Sequence, residues 1–361
     1  MKILRLDGNT VANTIMFVRL ILGQYSELNT GFAFSVVVKF YCVCLVVTEV
    51  YLLYNMQMYY TWPIEIFIDY VFRAMIYIIF VLVFLITKGE HFYEYLSGID
   101  VIDSKWGIKR GKFELIISLT TFVVVILMYM FCLIYPIIAF FNGMLIFDMF
   151  YHLVTVVMTM SMTLNSMARI MMFELLWDRM KALRIMMENN LDFSDPISYD
   201  NEEEHILLLQ GYLNVYNSLL DNLKYAGHAT KLMILLDLQS YFFFLLTFIL
   251  QYIKFGEIDV LAAFISDAIA TVVVPLVPAV LAELITVQVE RIKTHLTKQL
   301  LVCSNKALRN SICNALKFLE LRPFKYTVWR VFSLNMSLPL GLISLCTTYT
   351  IVVVQFLHVY G

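Results

Sequence analysis

Charge is what this sequence has least of: Asp, Glu, Lys and Arg make up 15% of its 361 residues, and hydrophobic residues 61%. About a quarter of a soluble domain is charged, so a water-soluble globular protein is excluded. The net charge of -2 supplies no basic surface for nucleic acid. Six cysteines, Cys42, Cys44, Cys132, Cys303, Cys313 and Cys346, lie scattered along the chain. None has the close spacing of a zinc or haem site, so they read as apolar packing residues without disulfides. No nucleophile constellation, metal cluster or glycine-rich phosphate loop appears, which argues against an enzyme and against a bound cofactor. A membrane transporter is the alternative class, although the chain shows neither an internal repeat nor a proton-relay series of carboxylates.

What the sequence does have is long apolar runs, and its mean hydropathy is +0.78. A helix needs about 20 apolar residues to cross a hydrocarbon layer. Seven stretches qualify: Phe32–Tyr54, Ile64–Ile86, Leu115–Ala139, Leu145–Ala168, Leu232–Ile253, Val260–Val287 and Phe332–Val359. The expected fold is therefore all-α, a polytopic membrane protein with seven transmembrane helices. Basic residues concentrate on the cytoplasmic side of a membrane. Here 23 of the lysines and arginines outside the spans fall on alternate connections that include the N-terminal segment, and one, Lys254, falls on the other set. The N-terminus is thus expected inside and the C-terminus outside. That orientation is opposite to a G-protein-coupled receptor, and the Asp-Arg-Tyr triplet of those receptors is missing after the third span.

The remaining segments also read as helices. Residues 1–31 alternate apolar and polar residues without a signal-peptide core and cleavage site, suggesting a cytoplasmic helix lying at the interface. After spans one to four (32–168), residues 169–231 resolve into two amphipathic helices separated by "DFSDPISYDN". Spans five and six (232–287) lead into a second helical segment, 288–331, where Ser304 or Asn305 can cap a helix. The last segment, 332–361, holds the seventh helix and a short outer tail. Apolar stripes on the cytoplasmic helices need partners, within the chain or in another subunit. Pro275 and Pro278 in span six, and Pro339 with Gly341 in span seven, are candidate bends. The sequon at Asn335 falls on the cytoplasmic side and is expected to stay unglycosylated.

The seventh span carries polar residues at a helical spacing. At about 100° per residue, Ser337, Ser344, Thr348 and Gln355 fall within a narrow stripe, with Ile351 and Val352 flanking its outer part. Back-bonded hydroxyls and helix-to-helix hydrogen bonds also account for such a stripe. The sharper reading is a pore-lining face with an apolar constriction. One stripe cannot enclose a pore, so several copies are implied.

Within this helix "TYTIVVVQF", Thr348 to Phe356, resembles the signature of insect gustatory receptors, Thr-Tyr, five apolar residues, then Gln-Phe. The seven spans and the inferred topology are similar to those of the insect odorant and gustatory receptor superfamily. The resemblance implies a homotetramer or heterotetramer acting as a ligand-gated cation channel in the plasma membrane of chemosensory neurons. Its partners would be a small-molecule tastant, permeating cations and membrane lipid. Cytoplasmic helices would anchor the four subunits. Gln355 and Phe356 would form the outer gate, braced below by Thr348 and Tyr349.

The resemblance further implies a ligand cup in the outer half of spans two to six. The candidate lining is Trp62, Glu65, Asp69 and Arg73 of span two and its approach, Tyr129 and Tyr135 of span three, and Phe147, Asp148, Tyr151 and His152 of span four. Phe248 and Tyr252 of span five and Phe264 and Asp267 of span six complete it. Asp69 and Arg73, four residues apart, are placed to form an ion pair or to face the cavity. His152 reads as a hydrogen-bonded contact between helices, since no second imidazole stands beside it to hold a metal. An aromatic cup with few polar anchors suits a bitter plant compound better than a sugar.

Overall fold

The computed structural model describes residues 10–25, 32–59, 64–87, 90–107, 115–141, 146–191, 202–225, 227–255 and 273–360. Among them are eleven helices: α1 (Thr10–Ile21), α2 (Phe32–Tyr59), α3 (Ile64–Thr87), α4 (Glu90–Trp106), α5 (Ile116–Phe141), α6 (Ile146–Asn190), α7 (Glu202–Tyr225), α8 (Gly227–Phe255), α9 (Val274–Val302), α10 (Lys306–Leu321) and α11 (Ser337–Tyr360). A two-stranded antiparallel hairpin, β1 (Thr327–Val328) with β2 (Phe332–Ser333), joins α10 to α11. Five helices contain windows long and apolar enough to cross a membrane: Ala33–Asn55, Tyr70–Thr87, Ile116–Ile134, Leu153–Asn190 and Gly227–Thr247. They correspond to the first five expected spans. The sixth is described only from Val273 onward, so Val260–Val272 lies outside the described residues. The seventh starts at Ser337 rather than Phe332, because Phe332 and Ser333 are taken up by pairing with Val328 and Thr327.

The longest element is α6, at 45 residues. At 1.5 Å per residue it is about 68 Å long, more than twice the hydrocarbon thickness. Span four and the first of the expected amphipathic helices are therefore one continuous rod. Its principal partner is α9. Ala279, Ala282, Ile285, Val289, Ile292 and Leu296 recur on the buried face of α9 at three- and four-residue intervals. The two alanines permit the close approach that small residues allow between apolar helices. Pro275 sits in the first turn of α9, where a missing N–H costs nothing, while Pro278 lies farther inside and is buried.

The stripes on the projecting helices find much of their partner surface within the chain. Leu209, Tyr212, Tyr216, Leu219 and Leu223 of α7 are buried, as are Phe92, Tyr95 and Ile99 of α4. Close approach of these two helices depends on Gly98, where a Cβ would sit 2.0 Å from the Asn222 amide oxygen. The Asn222 amide donates to the Tyr95 carbonyl at 2.9 Å. Arg179 of α6 donates twice to Asp103 of α4, at 2.7 and 2.6 Å, the two-pronged geometry that makes a guanidinium–carboxylate pair strong. Glu174 of α6 caps α5: its carboxylate accepts from Ile117 N at 2.7 Å, Ser118 N at 2.8 Å and Ser118 Oγ at 2.5 Å. Asn305 is the N-cap of α10, accepting from Ala307 N and Leu308 N.

One face of the N-terminal helix α1 docks against α6, with Ile15 and Met16 buried and Arg19 only 3% exposed, while Phe17 and Ile21 on the other face stay exposed. Arg19 donates to Gln24 Oε1 at 2.6 Å and to Asn165 Oδ1 at 3.4 Å. Burial lowers its pKa to about 10, so it stays charged at neutral pH. All six cysteines are free, and Cys42, Cys303 and Cys346 are buried as packing residues.

Asp103→Ala leaves the buried Arg179 guanidinium without its carboxylate, a change that costs about 3–5 kcal/mol. Thermal unfolding of the purified protein in detergent is expected to show a lowered midpoint, and Asp103→Ala combined with Arg179→Met is expected to recover part of it.

Candidate functional site

The helix that organises the interior is α8. Asp237, near the middle of its apolar window, is buried and pairs with Arg169 of α6. Ser166 donates to the same carboxylate oxygen at 3.1 Å and accepts from Arg169 at 2.9 Å. One turn farther along, Ser240 and Asp237 line a small cavity with Arg73 of α3, Thr159, Met162 and Thr163 of α6, and Pro275 of α9. Its volume is about 20 Å³, room for a water molecule.

Three consecutive phenylalanines of α8 make three different contacts. Phe244 lies under the Arg73 guanidinium, 4.7 Å from ring centre to Cζ. Phe243 packs on Phe72 of α3 at 4.1 Å between centroids. Phe242 meets Tyr349 of α11 edge-on, at 5.5 Å and 81°. The cavity wall and the last helix are thus two faces of the same element.

Helix α11 has α8 as its principal neighbour. Cys346, about 180° around the helix from Ser337, is 3% exposed. Leu338 and Leu342 on the same side pack against the core. Opposite them, Ser337, Ser344, Thr348, Ile351, Val352 and Gln355 are all exposed. The hydroxyl of Thr348 donates to the Ser344 carbonyl at 2.9 Å, and Thr347 and Thr350 bond their own helix in the same way. Ser337 donates to Asn335 Oδ1 at 2.6 Å, tying the helix start to the hairpin. Back-bonding lets these hydroxyls sit in an apolar helix while their remaining lone pairs point outward. Pro339 lies in the first turn of α11. The Phe356 side chain lies outside the described residues.

Of the residues read as a ligand cup, two have described side chains. Arg73 lines the cavity. Tyr129 shares a 2.8 Å hydrogen bond with Thr163, through which α5 reaches the cavity wall. Trp62, Phe264 and Asp267 lie outside the described residues, as do the side chains of Glu65, Asp69, Tyr135, Phe147, Asp148, Tyr151, His152, Phe248 and Tyr252. Sequence reading missed Thr159, Thr163, Asp237 and Ser240. A carboxylate in an apolar window was a signal for Asp237, while single hydroxyls in spans four and five gave none.

Residues 28–357 match the family described as 7tm chemosensory receptor. The chain belongs to that family. It is a family of receptors, not enzymes. Among solved structures, the chain is similar to the insect olfactory receptor OR5 from Machilis hrabei, with a TM-score of 0.65 at 14% identity over 96% of this chain and 97% of that one. The same receptor in complex with eugenol gives a TM-score of 0.68 at 11% identity, over 95% and 97%. At such identities the likeness is one of fold, and it extends from end to end of both chains. Among curated proteins none matches the sequence.

Proposed function

We propose that this chemosensory receptor is a gustatory receptor that is itself a ligand-gated cation channel, assembled as a homotetramer or heterotetramer around copies of α11. The observation that carries the reading is the exposure of the whole Ser337–Gln355 stripe directly opposite the buried Cys346 face. A polar stripe turned away from its own bundle is unfavourable against lipid and favourable around water. Several copies facing one axis satisfy it, with Ile351 and Val352 narrowing the path and Gln355 and Phe356 at the outer end. The plasma membrane of a chemosensory neuron is the setting this requires.

The mechanism follows from α8. A small tastant entering the bundle beside Arg73 and Ser240 parts α3, α6 and α8, since the cavity between them has room for about one water molecule. Moving α8 moves Phe242, and Phe242 carries Tyr349 and hence α11. Outward displacement of each α11 then widens the axis and wets the constriction. A bitter plant compound is the favoured ligand class, in keeping with an aromatic cup and with the eugenol held by the structurally similar olfactory receptor. A sugar is the second reading, and one observation favours it: five of the seven residues lining the resting cavity, Arg73, Thr159, Thr163, Asp237 and Ser240, are polar. Recording from cells expressing this chain alone against panels of alkaloids and sugars separates the two.

Gln355→Ala is expected to change basal current or the reversal potential between two cations at equal surface expression. Unchanged currents would count against the pore assignment. Phe242→Ala removes the contact through which α8 reaches α11. Ligand binding to the purified protein is expected to persist while the current at saturating ligand falls.

A further inference from the structure

A second cavity, of about 290 Å³, lies at the break between α7 and α8, where Gly227 has φ +65° and the segment 322–327 passes alongside. Its size is near the lower edge of the roughly 300–1,000 Å³ typical of small-molecule sites. Lys224 and Lys231 line it from the helices, and Arg322 and Lys325 from the segment that leaves α10. The aromatic rings of Phe324 and Tyr326 complete the wall.

The charges here do not balance. Asp221 answers Lys224 at 3.0 Å and Arg322 at 2.5 Å. Those hydrogen bonds hold the Asp221 carboxyl below its usual range, against a burial effect that acts the other way. Lys231 and Lys325 have no carboxylate within ion-pair distance among the described residues. Lys231 stands 6.0 Å over the Tyr326 ring, and Lys325 is exposed. Four cations thus line one cavity, with a single carboxylate shared between two of them.

The surroundings indicate where such an anion comes from. Lys231 falls in the first turns of the apolar window Gly227–Thr247, at the end of α8 next to the hairpin. Beside it the hairpin tip exposes Trp329 and Val331, 41% and 76% accessible, and tryptophan is enriched at membrane interfaces. By the distribution of lysine and arginine along the sequence this is the cytoplasmic side, the face that attracts anionic lipid.

We propose that this cavity binds a multiply phosphorylated polar group of the kind carried by phosphoinositide lipids. Arg322 presents a planar fork to phosphate oxygens, and the three lysines neutralise the remaining charge. Occupancy steadies the linker to α11, because Tyr326 O accepts from Leu334 N at 2.9 Å across the hairpin, three residues before α11 begins. The site is separate from the bundle cavity and does not depend on which tastant is recognised.

The test is direct binding to the purified full-length chain in phosphatidylcholine nanodiscs. The probes are dioctanoyl phosphatidylinositol 4,5-bisphosphate and, as its soluble counterpart, inositol 1,4,5-trisphosphate. The short-chain lipid is expected to bind saturably and to be displaced by added salt. Lys231→Gln with Lys325→Gln is expected to weaken it at least tenfold, while Lys231→Arg with Lys325→Arg keeps it. Matching thermal unfolding of the Gln variant and the unaltered chain controls for folding. Equal binding of inositol trisphosphate would assign the site to a soluble phosphate, and binding of the lipid alone to a membrane headgroup. Binding of neither probe, or undiminished binding to the Gln variant, would overturn the proposal.

Discussion

A charge buried among apolar helices has to meet its counter-charge, and the pairing of Arg169 with Asp237 is where this bundle meets that requirement. Neither residue can rotate to lipid without leaving the other exposed to a medium that cannot solvate it. The pair therefore fixes the rotation and depth of α8 against α6. Such a pair adds little net stability over a well-packed apolar contact, but its geometry is specific. Once α8 is set, Ser240 and Phe244 face Arg73, Phe243 faces α3, and Phe242 faces Tyr349. The bundle cavity and the last helix are linked because one element bounds both.

The second constraint concerns α11. With Leu338, Leu342 and Cys346 turned toward α8 and the core, the Ser, Thr and Gln stripe on the opposite side is left facing outward beside exposed apolar residues such as Leu340 and Ile343. Back-bonding reduces the cost of the threonines, but nothing within the described part of the chain covers Gln355. Symmetric repetition around an axis resolves this in a way that one chain cannot. The rod of α6, with α7, α9 and α10 packed beside it, forms one helical body continuous with the apolar bundle.

Much of this was legible in the sequence, for identifiable reasons. Span count came from run length, and five of the seven expected spans are recovered as apolar windows. The continuity of α6 showed in an unbroken period from Leu153 to Asn190. The cap at Asn305 and the stripe on α11 were both local patterns that tertiary context left intact. What escaped was non-local. The amphipathic α4 was not read as an element, because its short run around "EHFYEYLSGID" carries charges on one side, and α7 and α6 supply the surface that buries Phe92 and Tyr95. The docking of α1 depends on Asn165 and Ser161, more than a hundred residues away. Asp237, Thr163 and Ser240 enter the cavity because of helix rotation, and rotation cannot be read from one helix by itself.

The central claim is that α11 faces an ion pathway built from copies of this chain. Its most direct test is Thr348→Cys, expressed alone with G-protein signalling blocked and probed with a charged thiol reagent applied from outside while current is recorded. Ligand-evoked current is expected to survive the block and to be suppressed irreversibly by the reagent in the variant only, the native Cys346 being shielded behind α8. Loss of all current under the block, or modification of Cys at position 348 with no effect on conduction, would contradict the account.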